Sequence, residues 1–501
     1  MELFDNLALG FSVASLPINL AFCLLGAFLG TVIGVLPGIG PLATISMLLP
    51  LTFGLSPTTS LIMLSGIFYG AQYGGSTTAI LVNLPGEASS TVTMIDGYQM
   101  ALRGRAGPAL AAAGIGSFFA GCVSTVLVAL VAVPLTSVAL SFGPAEYFSL
   151  MTVGLVSSIA LASGSIVKAI GMILLGLLLG LTGTDIYTNQ GRYTFGFVEL
   201  SDGLDFVAMA VGVFGIGEIL RNLEKGIEGR QIIDKVTGLW PGRDDLRRMV
   251  GPMLRGTAIG SFLGILPGGG ALLSSFVSYN VEKKVSRNAR EFGHGAIEGV
   301  TAPESANNAS AQTSFIPMLS LGLPATPIMA LMIGAMTIQG ITPGPNVISN
   351  NPELFWGLIA SMWIGNAMLI ILNLPLIGIW VSLLRVPYRV LYPAIIAFCC
   401  VGVYTVNNSP FGVYMVVVSG LIGYLLTRLD CEWAPFFLGF VLGPIFEHQL
   451  RRAMLISGGD PLIFVSRPMS LILLIVAAIV LVIVTLPTIS KKRDEVFVGD
   501  D

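Results

Sequence analysis

Charge is scarce in this chain. Only 11% of its 501 residues are Asp, Glu, Lys or Arg, against about 25% in an ordinary soluble domain. That leaves too little polar surface for a water-soluble globule, which excludes a soluble enzyme and a disordered regulator. The formal net charge of -3 provides no basic surface for nucleic acid, so no nucleic-acid partner is expected. The two histidines, His294 and His448, stand far apart, which argues against a histidine-rich metal site. The five cysteines (Cys23, Cys122, Cys399, Cys400, Cys431) make no C-x-x-C, and all but Cys431 lie in apolar runs. They read as small buried hydrophobes. No G-x-x-x-x-G-K-[ST] is found, so a permease driven by ATP, the alternative reading, would need a separate ATPase. The opening MELFDNLALGF has no Lys or Arg. It lacks the basic region of a cleaved signal peptide, and the first apolar run is expected to stay in the mature protein.

What is abundant is hydrophobicity: 54% of residues, with a mean hydropathy of +0.85. The fold class expected is an all-α polytopic membrane protein. A spanning helix needs about 20 apolar residues. Candidates are 11–35, 108–133, 147–163, 166–182, 204–220, 355–384, 391–406, 411–427 and 469–488, with 355–384 long enough to tilt or bend. Two further regions, 36–101 and 256–345, are apolar but interrupted by Gly, Pro, Ser, Thr and Asn. Backbone that leaves a helix within hydrocarbon must be buried in protein or face a watery cavity.

Basic residues assign the sides. Arg103 and Arg105, the basic stretch 221–255, and Lys283, Lys284, Arg287 and Arg290 mark inner loops; 341–353 and 406–410 read as outer. The expected organisation is a first transmembrane repeat over 1–220, a cytoplasmic connecting segment over 221–255, and a second repeat with a short cytoplasmic tail over 256–501.

The repeat rests on Gly30-Thr-Val-Ile-Gly-Val-Leu-Pro-Gly-Ile-Gly40, which recurs as Gly260-Ser-Phe-Leu-Gly-Ile-Leu-Pro-Gly-Gly-Gly270 at an offset of 230. Six of the eleven positions are identical, a sign of duplication. A second pair needs a gap: Gly75-Ser-Thr-Thr78 leads to Asn83-Leu-Pro-Gly86, and Gln312-Thr-Ser314 leads to Gly322-Leu-Pro-Ala325. Basic loops flank 256–282 on both sides, so it reads as a re-entrant hairpin with arms of about 11 residues, roughly 16 Å each. The matching turn 51–58 carries no charge and reads as outer. Opposite sides imply inverted topology, with re-entrant hairpins and interrupted helices. Arg451 and Arg452 resist this, because inversion puts them outside.

Inverted repeats with interrupted helices characterise secondary transporters. Gly38, Gly40, Gly268, Gly269 and Gly270 would let backbone N–H groups approach an anion. Ser76, Thr77, Thr78, Gln312 and Thr313 add hydroxyls and amides suited to a carboxylate. Ion-binding or gating candidates are Asn83, Pro85, Glu304, Asn307, Asn308 and Pro324, with Na⁺ expected near Asn83 and Asn308. Intramembrane carboxylates are functional candidates by default. Among Glu87, Asp96, His294, Glu298 and Glu304, the strongest is Glu304; Asp96, near Arg103, is expected to be solvated. With no Lys or Arg in 30–102 or 256–282, dipoles and amides would hold an anion. No catalytic residue or resident cofactor is expected.

Gly34-Val-Leu-Pro-Gly-Ile-Gly40, the stretch Tyr73-Gly-Gly-Ser-Thr-Thr-Ala-Ile-Leu-Val-Asn-Leu-Pro-Gly86, Asp96-Gly-Tyr98, Pro303-Glu-Ser-Ala-Asn-Asn-Ala309 and Gly340-Ile-Thr-Pro-Gly-Pro345 carry a resemblance over nearly the whole chain. The chain resembles the large membrane subunit of the tripartite tricarboxylate transporters, the TctA family. Pro324-Ala325 departs from the pattern, where a second Pro-Gly is expected. The resemblance implies a multi-pass permease of the bacterial inner membrane, working with a small four-helix membrane subunit and a periplasmic solute-binding protein. It also implies uptake of citrate or another carboxylate, driven by an ion gradient, with Na⁺ as the coupling ion.

Overall fold

The computed structural model describes residues 2–36, 40–52, 54–160, 165–225, 233, 236, 238–266, 270–384, 388–407 and 409–485. These are helical almost throughout. Their sheet is one antiparallel pair of two-residue strands, Gly183–Thr184 and Gly191–Arg192. Among the described residues, four helices are long and apolar enough to cross a membrane: Pro17–Val35, Ala106–Ala139, Pro352–Asn373 and Pro410–Arg428. The exposed faces of Pro410–Arg428 and Pro468–Thr485 carry Leu421, Ile422, Leu425, Ile472, Ile475 and Ile479, a surface suited to lipid tails.

Proline explains where the helices depart from the expected spans. The run 11–35 is divided, because Pro17 starts a new helix after Glu2–Ala14. Asn19 donates to the Val13 carbonyl at 2.8 Å across that break. The run 355–384 ends its first helix at Asn373 and resumes as Ile377–Leu383, with the Trp380 indole donating to the Leu372 carbonyl at 2.9 Å.

Each half contains a hairpin followed by a broken helix. The first hairpin has arms Pro17–Val35 and Pro41–Leu48, and the first broken helix runs Pro57–Val82 then Ser90–Leu102. The second hairpin has arms Arg243–Ile265 and Gly270–Val285. The second broken helix runs Glu298–Thr313 and Phe315–Leu321, then Pro327–Ile338. The second hairpin's arms are 23 and 16 residues long, longer than expected, because the first arm begins inside the basic stretch. Asp245 accepts from the Gly242 N–H at 3.2 Å there. Arg248 and Arg255 lie 2.6 and 2.8 Å from Glu298 and Glu282. The apolar part of that arm, from Gly256 to Ile265, is still about half a bilayer long at about 1.5 Å per residue.

Hairpin and broken helix touch through glycine. A Cβ on Gly26, Gly30 or Gly34 would lie 2.2, 2.2 or 2.3 Å from the carbonyl oxygens of Met63, Ile67 and Ala71. In the second half, Gly256, Gly260 and Gly264 meet Ala302, Ala306 and Ser310 in the same way, at 2.4, 2.2 and 2.5 Å. Numbers rise together on both partners, so each pair of helices runs parallel. The glycines keep the offset of 230, while their partners stand 239 apart. The same 239 relates the two breaks. Asn83 (φ 57, ψ 40) and Gly322 (φ 70, ψ 23) both end their helices in the left-handed region, and Leu-Pro follows each. No gap is therefore needed between 63–86 and 302–325. Gly75 corresponds to Ser314, and the three-residue shift implied by sequence alone falls away.

The following long helices cross over. Ala106–Ala139 lies on Glu298–Thr313 of the other half, and Pro352–Asn373 lies on Pro57–Val82. Around this core, Ile166–Gly180 lies against Trp433–Ile456 and Val211–Gly217 against Pro410–Arg428, again at glycine contacts such as Gly176 with the Phe436 carbonyl.

Gly30→Val and Gly260→Val should each lower the thermal unfolding midpoint in detergent, since overpacking an interior destabilises it by about 1–3 kcal/mol. Gly171→Ala, where nothing lies within 4 Å of the new methyl, should leave the midpoint unchanged or slightly raised. Equal midpoints for all three would refute the close-contact account.

Candidate functional site

The helix Glu298–Thr313 is polar along much of its length, yet every residue of it is buried. Small residues at the glycine contacts, Ala302, Ala306 and Ser310, let it sink between its neighbours. Burial on all sides forces its polar groups to find partners within the protein. Glu304 accepts from Ser76 at 2.7 Å, from Ser117 at 3.4 Å, and from Thr93. These hydroxyls come from the first broken helix, the crossing helix and the segment beyond the first break. Asn308 donates to Ser117 Oγ at 2.7 Å and to the Glu304 carbonyl at 3.2 Å.

A second carboxylate enters through the first break. Gly86 lies against Gly34 and Gly75: a Cβ on it would be 2.4 Å from the Gly34 oxygen and from the Gly75 Cα. That approach places Glu87 beside the second half, where Asn307 Nδ2 donates to it at 3.0 Å and Ser89 donates as well. The donors to Glu87 and Glu304 are all neutral hydroxyls and amides. Several neighbours on the same two broken helices have no hydrogen-bond partner within the described chain: both amide atoms of Gln72 and of Gln312, Tyr73 Oη, Ser305 Oγ, Ser310 Oγ and Asn307 Oδ1.

The counterpart of this crossing has no carboxylate: Ser65 stands where Glu304 does. At the offset of 239, Asn308 and Ser76 correspond to Tyr69 and Phe315, whose ring centroids are 6.1 Å apart.

Of the residues expected in the site, Ser76, Glu304, Asn307 and Asn308 come together here. Thr77 is adjacent and Gln312 lies further along the same helix. Thr78 is spent on the Val35 carbonyl at 2.6 Å, tying the broken helix to the hairpin end, and Thr313 on the Ala309 carbonyl at 3.0 Å. Asn83 is exposed as the left-handed cap of its helix, so the structure does not bring it to Asn308. Pro85 is half-buried and Pro324 buried, each within its own break. Gly40 starts the helix Pro41–Leu48 and has open space where a Cβ would be; Gly270 (φ +43) faces Thr326. Gly38, Gly268 and Gly269 lie outside the described residues. Thr93 and Ser117 escaped the sequence reading, since a lone hydroxyl in an apolar run carries no signal. Asp96 corrects an expectation. It is fully buried rather than solvated, and accepts from Tyr279 Oη at 2.9 Å and from the N–H groups of Gly295 and Ala296 at 2.7 and 2.9 Å. It thereby anchors the turn that opens Glu298–Thr313.

A larger cavity, about 880 Å³, lies apart from this cluster. The loop 181–205, the end of Pro327–Ile338 and the segment 440–448 of Trp433–Ile456 line it. At its edge Arg192 and Arg451 each lie 2.7 Å from Glu447, and both pair with Asp185. Arg451, awkward as an outer residue on charge alone, is thus one of two arginines matched by two carboxylates.

Asp96→Ala would strand the buried Tyr279 hydroxyl and Ala296 N–H, each worth about 1–3 kcal/mol, and leave the half-buried Gly295 N–H without its partner. A drop of several degrees in the unfolding midpoint is expected, smaller for Asp96→Asn. An unchanged midpoint in Asp96→Ala would remove its anchoring role.

A family profile described as "Tripartite tricarboxylate transporter TctA family" matches residues 20–438. An Agrobacterium vitis protein named "Uncharacterized 52.8 kDa protein in TAR-I ttuC' 3'region" is 61% identical over 501 residues, covering 100% of both chains. A second from the same organism, "Uncharacterized protein in TAR-II ttuC' 3'region", is 61% identical over 242 residues, which are 48% of this chain and 100% of that one. No solved structure matches. With the profile spanning hairpins, breaks and buried carboxylates alike, the chain belongs to the tripartite tricarboxylate transporter TctA family, as a multi-pass membrane component of such a transporter.

Proposed function

We propose that the chain is the permease through which a binding-protein-dependent system takes up a carboxylate across the bacterial inner membrane, by secondary transport coupled to Na⁺. The observation that carries this reading is the buried meeting of the two broken helices. Two carboxylates there are served only by neutral donors, and the amides of Gln72 and Gln312 are left without partners. Buried amides without partners are rare in a finished core and common where a polar solute passes. Helix interruptions beside them supply free N–H groups for an anion and carbonyls for a cation.

In this reading the substrate carboxylates lie between the hairpin tips and the polar faces of the broken helices, with Gln312 among their donors. The two halves are inverted in the membrane, so that each hairpin opens to a different face. Alternating access moves the hairpin core against the surrounding scaffold. The partners are a small membrane subunit and a periplasmic solute-binding protein.

The test is uptake of citrate and of four-carbon dicarboxylates into proteoliposomes holding the complete system, without ATP and with an inward Na⁺ gradient. Saturable uptake that vanishes when choline replaces Na⁺ supports the proposal; uptake that requires ATP refutes it. Gln72→Ala and Gln312→Ala should each raise the half-saturating carboxylate concentration, by about two- to tenfold for a lost hydrogen bond. Inversion is tested separately. Single cysteines at Gly54 and Lys284 should react with an impermeant maleimide from opposite sides of the membrane, and labelling from the same side would discard it.

A further inference from the structure

Beside Glu304 is a cavity of about 20 Å³, lined by Tyr73, Ser76, Thr77, Ser117 and Asn373 together with Leu110, Ala113, Gly114 and Leu374. It lies where the first broken helix meets both crossing helices. Its size admits one small occupant, the space of a single water.

The polar lining presents lone pairs. Ser76 Oγ gives its proton to Glu304, at 2.7 Å, or to the Gln72 carbonyl, at 3.1 Å. Thr77 Oγ1 gives its own to the Tyr73 carbonyl at 3.5 Å. Ser117 Oγ points its proton at Glu304, while Asn308 donates to one of its lone pairs. The amide nitrogen of Asn373 donates to the Leu369 carbonyl at 2.9 Å, which leaves Asn373 Oδ1 as an acceptor with no partner. Tyr73 Oη, also without a partner, has a rotatable proton and lone pairs to offer. Both residues are at least nine-tenths buried. A hydroxyl whose proton is committed elsewhere cannot donate to an anion, but it can coordinate a cation.

Charge points the same way. An ionised carboxylate buried without a counter-charge is costly, and the donors to Glu304 are neutral. A cation in the cavity would sit one hydroxyl away from Glu304, across Ser76 and Ser117. Size and ligand number select among cations. Ca²⁺ takes six to eight oxygens, commonly with several carboxylates, and Mg²⁺ keeps several waters for which the cavity has no room.

We infer that Tyr73, Ser76, Thr77, Ser117 and Asn373 form a site for one dehydrated monovalent cation of the size of Na⁺, with Glu304 as its counter-charge. The inference rests on the reading of the chain as an ion-coupled permease, and it locates the ion there rather than near Asn83. The occupied site draws Ala106–Ala139, Pro57–Val82 and Pro352–Asn373 together, so the ion clamps the crossing of the two halves.

The test needs no carboxylate. The purified membrane complex in detergent is melted in choline chloride with increasing NaCl at constant ionic strength, with KCl as the control. The wild type should show a saturable rise of the midpoint with NaCl and a much weaker rise with KCl. Asn373→Leu and Tyr73→Phe should each raise the half-saturating Na⁺ concentration by about tenfold or more. If Asn373→Leu fails to fold, Tyr73→Phe, which removes one oxygen, decides alone. No Na⁺-specific rise in the wild type, the behaviour of a cavity holding only water, overturns the site. So does wild-type Na⁺ dependence in Tyr73→Phe. Na⁺-driven uptake that persists with unaltered Na⁺ dependence in both variants overturns this site and leaves the proposed function standing. Intact Na⁺ binding without carboxylate uptake does the reverse.

Discussion

Two helices can approach to backbone contact only where at least one of them carries no side chain at the meeting point, and this chain applies that rule in both halves. Gly26, Gly30 and Gly34 admit the carbonyls of the first broken helix, and Gly256, Gly260 and Gly264 those of the second. Those contacts join each hairpin to its own broken helix and so fix where each broken helix stands. Ser76 and Glu304 belong to the two different broken helices and meet at 2.7 Å, while Ser117 approaches Glu304 from a third helix beside Gly116, where a Cβ would lie 2.8 Å from Ser305 Oγ. Larger residues at the hairpin glycines would displace the broken helix that carries the carboxylate or the one that carries its Ser76 partner.

Once the helices are that close, electrostatics decides what the interior tolerates. Charge is kept to the edges, where it is paired: Arg248 with Glu298, Arg255 with Glu282, and Arg192 and Arg451 with Asp185 and Glu447. The centre keeps carboxylates but gives them only neutral donors. Hydroxyl and amide dipoles stabilise a buried negative charge without cancelling it. A centre of that kind suits the mobile cation proposed above, whereas an arginine in the same place would be permanent.

Much of this could be read from residue order. The eleven-residue recurrence marks the two places where one helix ends and another begins, at Val35 and Pro41 and at Ile265 and Gly270, and its glycines make the close contacts observed. Glu304 stood out because carboxylates are rare in apolar segments. Three things were hidden, each because it depends on contacts far apart along the chain. Ser117 reaches Glu304 across 187 positions, and a single serine within an alanine-rich helix announces nothing. Asp96 looked solvated because Arg103 follows it, yet its partners are 183 to 200 residues away. The second recurrence appeared to need a gap because the broken helices differ in composition. Their common register emerges only from the backbone, where Asn83 and Gly322 take the same left-handed turn.

The two crossings differ: one holds Ser76, Asn308 and Glu304, the other Tyr69, Phe315 and Ser65. The consequence is electrical, and it belongs to the transport reading proposed above. With a cation at the acidic crossing alone, a di- or tricarboxylate would still cross net negative. An interior-negative voltage would then oppose its inward movement by about 2.3 kcal/mol per uncompensated charge for each 100 mV. In that reading, the crossing without a carboxylate limits how steep an accumulation this pair of helices alone could drive.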